Sequence, residues 1–158
     1  MGKKIVKTNA MRVLENEKVP FEHFECDENI TNGNEIAAYL GVDEGCVFKT
    51  LVTEAAGRKY YVFVIPVSGT LDLKKAAVAA GEKSLSMLKQ KDLFALTGYV
   101  HGGCSPVGMK KPFPTFIDEG ALSLELFYVS AGKVGHQLHL SPNDLAGVIN
   151  AQFKDLLQ

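Results

Sequence analysis

The chain has no tryptophan, only three cysteines and only two arginines among its 158 residues. Cys26, Cys46 and Cys104 are odd in number and far apart, which excludes a disulfide framework and a spaced set of metal ligands. We therefore expect a reducing, cytoplasmic environment. Arginine is the residue that reads bases through paired hydrogen bonds, so its scarcity disfavours sequence-specific base recognition.

No apolar run of 18 residues is present, so the sequence predicts no membrane span. The first four residues, 1–4, include two lysines but no apolar stretch follows them, and we do not expect a secretion signal. With 158 residues, 46% of them hydrophobic, the chain is suited to a single domain covering residues 1–158 with its own core.

The net charge of −1 is spread unevenly along the chain. Residues 1–12 sum to +4, residues 13–48 to −8, residues 49–118 to +5 and residues 119–158 to −2. The basic segment at 49–118 could present a positive face to a polyanion. For any single lysine, ordinary solvated surface charge is the simpler interpretation.

The pattern of apolar residues and turn residues predicts interleaved helices and strands. The predicted helices are 8–18, 35–40, 72–80, 88–96 and 141–157, and the predicted strands are 21–25, 47–52, 59–65, 113–118, 124–130 and 137–140. Strands 47–52 and 59–65 are predicted to form a hairpin. This arrangement indicates a mixed α+β fold and not a doubly wound parallel sheet.

Lys49 lies in the middle of an apolar predicted strand. Side chains alternate along a strand, so it shares a face with Val47 and Leu51, while Phe48 points to the other face. An ammonium there loses hydration unless a carboxylate, a carbonyl or a ligand phosphate meets it. Two interpretations stay open: a lysine that reaches solvent or a carboxylate, and a lysine that binds a ligand.

The segment 102–108 is a loop with three glycines and one proline. Such a loop can direct several backbone N–H groups at an oxyanion or a phosphate. It matches neither a P-loop nor a dinucleotide fingerprint. Most glycine clusters, however, form ordinary turns between two secondary-structure elements and bind nothing.

No residue combination predicts a protein nucleophile or a metal site. Cys104 has His101 nearby but no third orienting group, and Ser105 lacks a nucleophile-elbow motif. His136 and His139 would lie on opposite faces of a strand and are interpreted either as ordinary surface residues or as residues that support a site from behind, and His23 has no identifiable partner. This pattern suits an enzyme that polarises a reactive ester while water or the substrate supplies the nucleophile.

Four ordered motifs carry a family resemblance: V-F-K-T-L at 47–51, L-D-L-K-K at 71–75, T-G-Y-V-H-G-G-C-S-P-V-G at 97–108, and Y-V-S-A-G-K at 128–133. Together they resemble the YbaK/EbsC family of bacterial aminoacyl-tRNA editing proteins, which are related to the insertion domain of prolyl-tRNA synthetase. The resemblance covers about residues 8–157.

The resemblance implies a twisted, mixed, β-barrel-like sheet surrounded by helices. It implies removal of a mischarged amino acid from tRNA in trans, typically cysteine from cysteinyl-tRNA(Pro). From the residues themselves we expect no cofactor and no metal. The implied partners are tRNA(Pro) and prolyl-tRNA synthetase; the oligomeric state stays open.

The resemblance also implies site residues. Lys49 corresponds to the family's key lysine. The expected substrate-binding residues are Gly102, Gly103, Ser105, Pro106, Ser130, Gly132 and Cys26.

The sequence departs from the family pattern at three places: Cys26 stands near a usual tyrosine, Cys104 replaces a usual isoleucine, and Val134 replaces a usual arginine. These departures leave two alternatives open. One is an editing enzyme for another mischarged tRNA, such as alanyl-tRNA(Pro), and the other is a non-catalytic protein that binds tRNA or a synthetase.

Overall fold

The computed structural model describes residues 7–158. Five helices of eight residues each lie in this part of the chain: α1 Asn9–Asn16, α2 Gly33–Leu40, α3 Leu73–Ala80, α4 Gln90–Thr97 and α5 Pro142–Ile149. All five were predicted from the sequence. Thr8, Asn32, Asp72 and Ser141 cap four of them by accepting a hydrogen bond from a backbone N–H of the first turn.

Eight strands form two sheets in the described residues: β1 Glu22–Glu25, β2 Phe48–Ala55, β3 Lys59–Pro66, β4 Ser86–Met87, β5 Thr115–Asp118, β6 Phe127–Ser130, β7 His136–Leu140 and β8 Gln152–Lys154. One sheet has the antiparallel order β1-β7-β6. The other is mixed, with the order β4-β2-β3-β5-β8. The predicted α+β class with a mixed sheet is confirmed, and within residues 7–158 the strands do not close into a barrel.

The β2–β3 hairpin has the predicted position, with Lys49 opposite Ile65. Beyond the N-terminal end of β2, Val47 forms a parallel bridge with Tyr128, and this bridge connects the two sheets. Phe48 and Phe127 pack edge to face at 4.9 Å in the core between them. The start of β2 is therefore held by both sheets, which fixes the position of Lys49.

The C-terminal region differs from the prediction of one helix at 141–157. Helix α5 ends at Ile149 because Asn150 adopts a left-handed conformation (φ +53°), which asparagine tolerates. The chain then forms β8, parallel to β5. Leu156 is fully buried, and its N–H donates to Asp118 Oδ1 at 3.1 Å. Tertiary pairing and burial at the sheet edge thus replace the helix.

Two smaller differences concern the middle of the chain. The predicted strand 124–130 begins only at Phe127, because Glu119–Ser123 forms a 3-10 turn capped by Asp118. The two-residue strand β4 was not predicted, since it is too short to show an alternating pattern. None of the helices within residues 7–158 has the length and apolar character needed to cross a membrane.

Candidate active site

A cavity of about 340 Å³ opens beside the start of β2. Its walls come from β2, the beginning of α2, the glycine-rich loop and the β6–β7 pair. Its lining residues include Thr31, Asn32, Gly33, Lys49, Thr50, Leu93, His101, Gly102, Cys104, Ser130 and Gln137. Three of the sequence-predicted site residues therefore meet here: Lys49, Gly102 and Ser130.

Lys49 is half-buried in the cavity wall, and its neighbour Phe48 borders the cavity too but is buried in the core. Phe48 packs in the core cluster with Phe127, whereas Leu51, two residues after Lys49, packs in another cluster with Phe63, so the predicted alternation of faces is observed. Among residues 7–158, no carboxylate lies within ion-pair distance of the Lys49 ammonium, and it makes no hydrogen bond. Its three N–H donors are therefore available to a ligand in the cavity.

Two buried polar atoms of the cavity wall lack a hydrogen-bond partner among the described residues. They are the hydroxyl oxygen Oγ1 of Thr50 and the amide oxygen Oε1 of Gln137, a residue only 3% exposed. A buried polar group without a partner costs about 1–3 kcal/mol. A ligand that donates hydrogen bonds to these atoms would remove that cost.

Sequence reasoning missed Gln137, although one signal was available. Ser130 and Gln137 are directly opposite each other in the β6–β7 pair. Counting back from the turn at 131–135 would have placed Gln137 beside the predicted Ser130.

The glycine-rich loop contributes Gly102 to the cavity, where the backbone has φ +84°. The other predicted loop residues lie behind the wall. The Ser105 side chain is fully buried, and its hydroxyl accepts a hydrogen bond from the Val107 N–H at 3.2 Å. Gly103 packs closely against the backbone of Val134, since an added Cβ at Gly103 would be 2.8 Å from the Val134 nitrogen. Buried Pro106 also stays outside the lining, so direct substrate contact by these three remains a prediction.

Gly132 also lies outside the lining, and it packs against Tyr99. An added Cβ at Gly132, whose φ is +97°, would be 2.7 Å from Tyr99 Cε1. The Tyr99 hydroxyl donates to the Val107 carbonyl at 2.6 Å, and burial raises the pKa of Tyr99 to about 12. The Gly132 N–H donates to Ser130 Oγ at 3.1 Å. Tyr99, which sequence reasoning did not single out, thus joins the loop to the serine that lines the cavity.

The cysteines near the site are not activated. Burial raises the pKa of the Cys104 thiol to about 12, although a hydrogen bond involving Thr97 acts in the opposite direction. A thiol in that range is un-ionised at neutral pH and is a poor nucleophile. Cys26 is half-buried against the core cluster that includes Ile36 and Tyr128, outside the cavity lining, and burial raises the pKa of its thiol as well. The predicted substrate contact of Cys26 stays a prediction.

The surface interpretation of His136 was wrong, and His23 has a partner in the structure. His136 is only 8% exposed, and its Nδ1 lies 2.7 Å from His23 Nε2 in a stacked pair. His139 stacks on Tyr128 with ring centres 4.0 Å apart. The reason is the β1–β7 pairing, a long-range contact that brings residue 23 next to residue 136. Within residues 7–158, no three His, Cys, Asp or Glu side chains group together as metal ligands would.

We predict that the His23–His136 pair makes stability fall at mildly acidic pH. Burial, and then the neighbouring His23, lower the pKa of His136. The unfolded chain therefore takes up the proton first, and the free energy of unfolding decreases as pH falls below about 6.5. One such proton contributes at most about 1.4 kcal/mol per pH unit. Denaturant unfolding at pH 7, 6 and 5 measures the slope. His136→Gln should have a shallower slope, and an unchanged slope would contradict the assignment.

Comparison with known proteins gives two sequence matches. The family model described as "Aminoacyl-tRNA editing domain" matches residues 27–148. A protein of Enterococcus faecalis (strain ATCC 700802 / V583), EbsC, is 46% identical over 152 residues, covering 95% of this chain and 93% of that protein. The name of that relative proposes Cys-tRNA(Pro)/Cys-tRNA(Cys) deacylase activity.

Solved structures share the fold over nearly the whole chain. One, described as a proposed trans-editing enzyme for prolyl tRNA synthetase, is 26% identical with a TM-score of 0.84, and the match covers 98% of this chain and 99% of that one. Another, the protein APE2540, is 24% identical with a TM-score of 0.89, and the match covers 96% of this chain and 100% of that one. The similarity to APE2540 shows a shared fold and nothing more.

Proposed function

The chain belongs to the YbaK/EbsC family of proteins with an aminoacyl-tRNA editing domain, and from this premise we propose that it removes cysteine from mischarged cysteinyl-tRNA(Pro). The observation that carries the proposal is the chemistry of the cavity wall. Lys49, Thr50 and Gln137 line a space of about 340 Å³, and a buried oxygen of each of the last two lacks a partner among the described residues. The 46% identical relative, whose name proposes the same activity, supports this choice of substrate.

The groups of the cavity complement an aminoacyl ester. The α-ammonium of the amino acid can donate to Thr50 Oγ1 and Gln137 Oε1, which would satisfy both atoms. The Lys49 ammonium can donate to the ester carbonyl, to the ribose or to a phosphate of the terminal adenosine. We propose that Lys49 is the catalytic residue in this arrangement.

The glycine-rich loop is proposed to stabilise the charge that develops on the carbonyl oxygen. The N–H groups of Gly102 and Cys104 donate to no backbone acceptor among residues 7–158. Backbone donors directed at a developing oxyanion stabilise the transition state more than the ground state. An aminoacyl ester is already reactive, and each tenfold in rate needs only about 1.4 kcal/mol.

The nucleophile is proposed to come from outside the protein, since the pKa of Cys104 is raised to about 12 by burial. In one route the substrate thiol attacks its own carbonyl. The new C–S bond replaces the ester C–O bond, a thiolactone is released, and the thiol proton passes to the departing ribose oxygen. In the other route a water molecule attacks and free cysteine is released.

The partners proposed for this reaction are tRNA(Pro) and prolyl-tRNA synthetase, the enzyme that a structural relative is described as assisting. A cytoplasmic location follows from this proposal, because aminoacyl-tRNA is made and used there. We further propose that residues 1–158 act as one editing domain.

A panel of charged tRNAs tests the function. We expect cysteinyl-tRNA(Pro) to be deacylated at least tenfold faster than alanyl-tRNA(Pro) and prolyl-tRNA(Pro). The deacylation rate of cysteinyl-tRNA(Cys), compared with that of cysteinyl-tRNA(Pro), tests whether the protein recognises the body of the tRNA. Faster loss of alanine than of cysteine would contradict the proposed amino acid and support alanine editing. Intact esters on all four substrates would contradict the activity itself.

A further inference from the structure

The chain segment that contains α4 is positively charged, although the net charge of the whole chain is negative. Residues 83–111 contain five lysines and Asp92 as the only acidic residue, a sum of +4, whereas the whole chain is −1. All five lysines are exposed: Lys83, Lys89, Lys91, Lys110 and Lys111. A surface of this sign attracts a polyanion.

An exposed aromatic ring lies on α4 itself, on the surface that we call the α4 surface and define by Lys89, Lys91, Phe94, Val100 and Lys110. Phe94, on α4, is 59% exposed, and Val100, which follows α4, is 50% exposed. The Lys110 ammonium lies 5.4 Å from the centre of the Phe94 ring and donates to the Ala95 carbonyl at 3.4 Å. An exposed phenylalanine flanked by lysines is the combination that binds single-stranded nucleic acid, because bases stack on the ring and phosphates meet the cations.

This surface is continuous with the cavity. Leu93, next to Phe94, lines the cavity from α4. His101 and Gly102, which follow Val100, line it from the loop. A nucleic-acid strand whose reactive end enters the cavity therefore passes Phe94 and its lysines.

We propose that the single-stranded 3′ end of the aminoacyl-tRNA docks on this α4 surface. A nucleobase stacks on Phe94, and Lys89, Lys91 and Lys110 contact phosphates next to the terminal adenosine. This inference rests on the proposed function and adds to it the route by which the substrate reaches the cavity. On this proposal, the affinity for tRNA comes from ionic contacts with phosphates and from base stacking. This agrees with the small number of arginines, the residues that recognise bases through paired hydrogen bonds.

Two substrates distinguish the contribution of the α4 surface from that of the cavity. The first is cysteinyl-tRNA(Pro), and the second is 3′-O-cysteinyl-adenosine, which has neither the phosphates nor the neighbouring bases. We expect Phe94→Ala and Lys91→Glu each to lower kcat/KM for the tRNA about tenfold, mainly through KM. Both variants should cleave the adenosine ester within about twofold of the unaltered protein. Lys91→Glu should also make the salt dependence of tRNA cleavage shallower, by roughly 0.7 in the logarithmic slope per lost phosphate contact.

The chain offers a matched control for each variant. Lys74 is the second residue of α3, as Lys91 is of α4, and it is also exposed. Helix α3 packs with Phe63 and Ile65, whereas Leu93 of α4 packs with Val62, so the two helices cover opposite faces of the mixed sheet. Lys74→Glu makes the same charge change away from the surface and should leave both activities unchanged. Phe94→Tyr keeps the aromatic face and should retain tRNA cleavage.

The remaining outcomes decide against the proposal in different ways. Equal losses on both substrates would mean that Phe94 and Lys91 act on the cavity and not on the tRNA end. Unchanged tRNA cleavage in both variants would mean that the 3′ end follows another route. A loss seen only when prolyl-tRNA synthetase is added would assign the surface to that protein. If the unaltered protein cleaved neither substrate, the proposed function would fail and not the docking surface alone.

Discussion

Lys49→Ala is expected to lower the rate of cysteinyl-tRNA(Pro) deacylation at least a hundredfold while the protein stays folded. The loss corresponds to about 2.7 kcal/mol or more of transition-state stabilisation. The fold should tolerate the change, because Lys49 makes no ion pair with residues 7–158 and Phe48, not Lys49, fills the core. Single-turnover rates and a denaturation curve for each protein give the two quantities separately.

Lys49→Arg is the informative control for charge. It keeps the positive charge but replaces a compact ammonium by a planar, wider group, and we expect it not to restore the rate. Lys49→Met keeps the aliphatic stem and should behave like alanine. A folded Lys49→Ala protein with a rate within about threefold of the unaltered one would remove Lys49 from the mechanism.

Gly132→Ala is the second change with a large expected effect, and it acts on both stability and rate. The new Cβ would be 2.7 Å from Tyr99 Cε1. Tyr99 cannot move freely, because its hydroxyl donates a hydrogen bond to the Val107 carbonyl. Forcing an extra carbon into a packed site costs about 1–3 kcal/mol, and the left-handed backbone adds about 1–2 kcal/mol. We expect the free energy of unfolding to fall by the sum of the two, about 2–5 kcal/mol. The deacylation rate should fall about tenfold, since Ser130 and the loop lose their common support.

Gly57→Ala separates the two causes. Gly57 has a similar backbone angle, φ +81°, but an added Cβ there would meet nothing within 4 Å. This variant should lose only about 1–2 kcal/mol of stability and keep its rate. Equal effects of the two substitutions would show that the contact between Gly132 and Tyr99 is not important. Urea unfolding and initial rates on both variants provide the comparison.

Local patterns in the sequence predicted the part of the site that depends on local geometry. Alternation along β2 placed Lys49 and Phe48 on opposite faces, and the structure shows Lys49 half-buried in the cavity wall and Phe48, which also borders the cavity, packed in the core. The glycine cluster correctly indicated a loop beside the site. It could not show which residues face the cavity, because that depends on Tyr99 and Val134, which hold the loop from behind.

Features made by long-range pairing were missed for a different physical reason. The unpaired oxygen of Gln137 matters only because β6 and β7 enclose it, and His136 becomes buried only when β1 adds to β7. The helix predicted beyond Ile149 gives way to β8 because the edge of β5 offers hydrogen bonds to it. Propensity and periodicity describe a segment by itself, and tertiary context overrides them in these places.

The central claim is that this cavity breaks the aminoacyl ester and does not only bind it. The most direct measurement is a single-turnover reaction in which the protein is in excess over cysteinyl-tRNA(Pro), with ester and tRNA binding followed in the same samples. The account predicts that the ester disappears at least a hundredfold faster with the unaltered protein than with Lys49→Ala, at equal tRNA occupancy. Bound tRNA with its ester intact in the unaltered protein would contradict it.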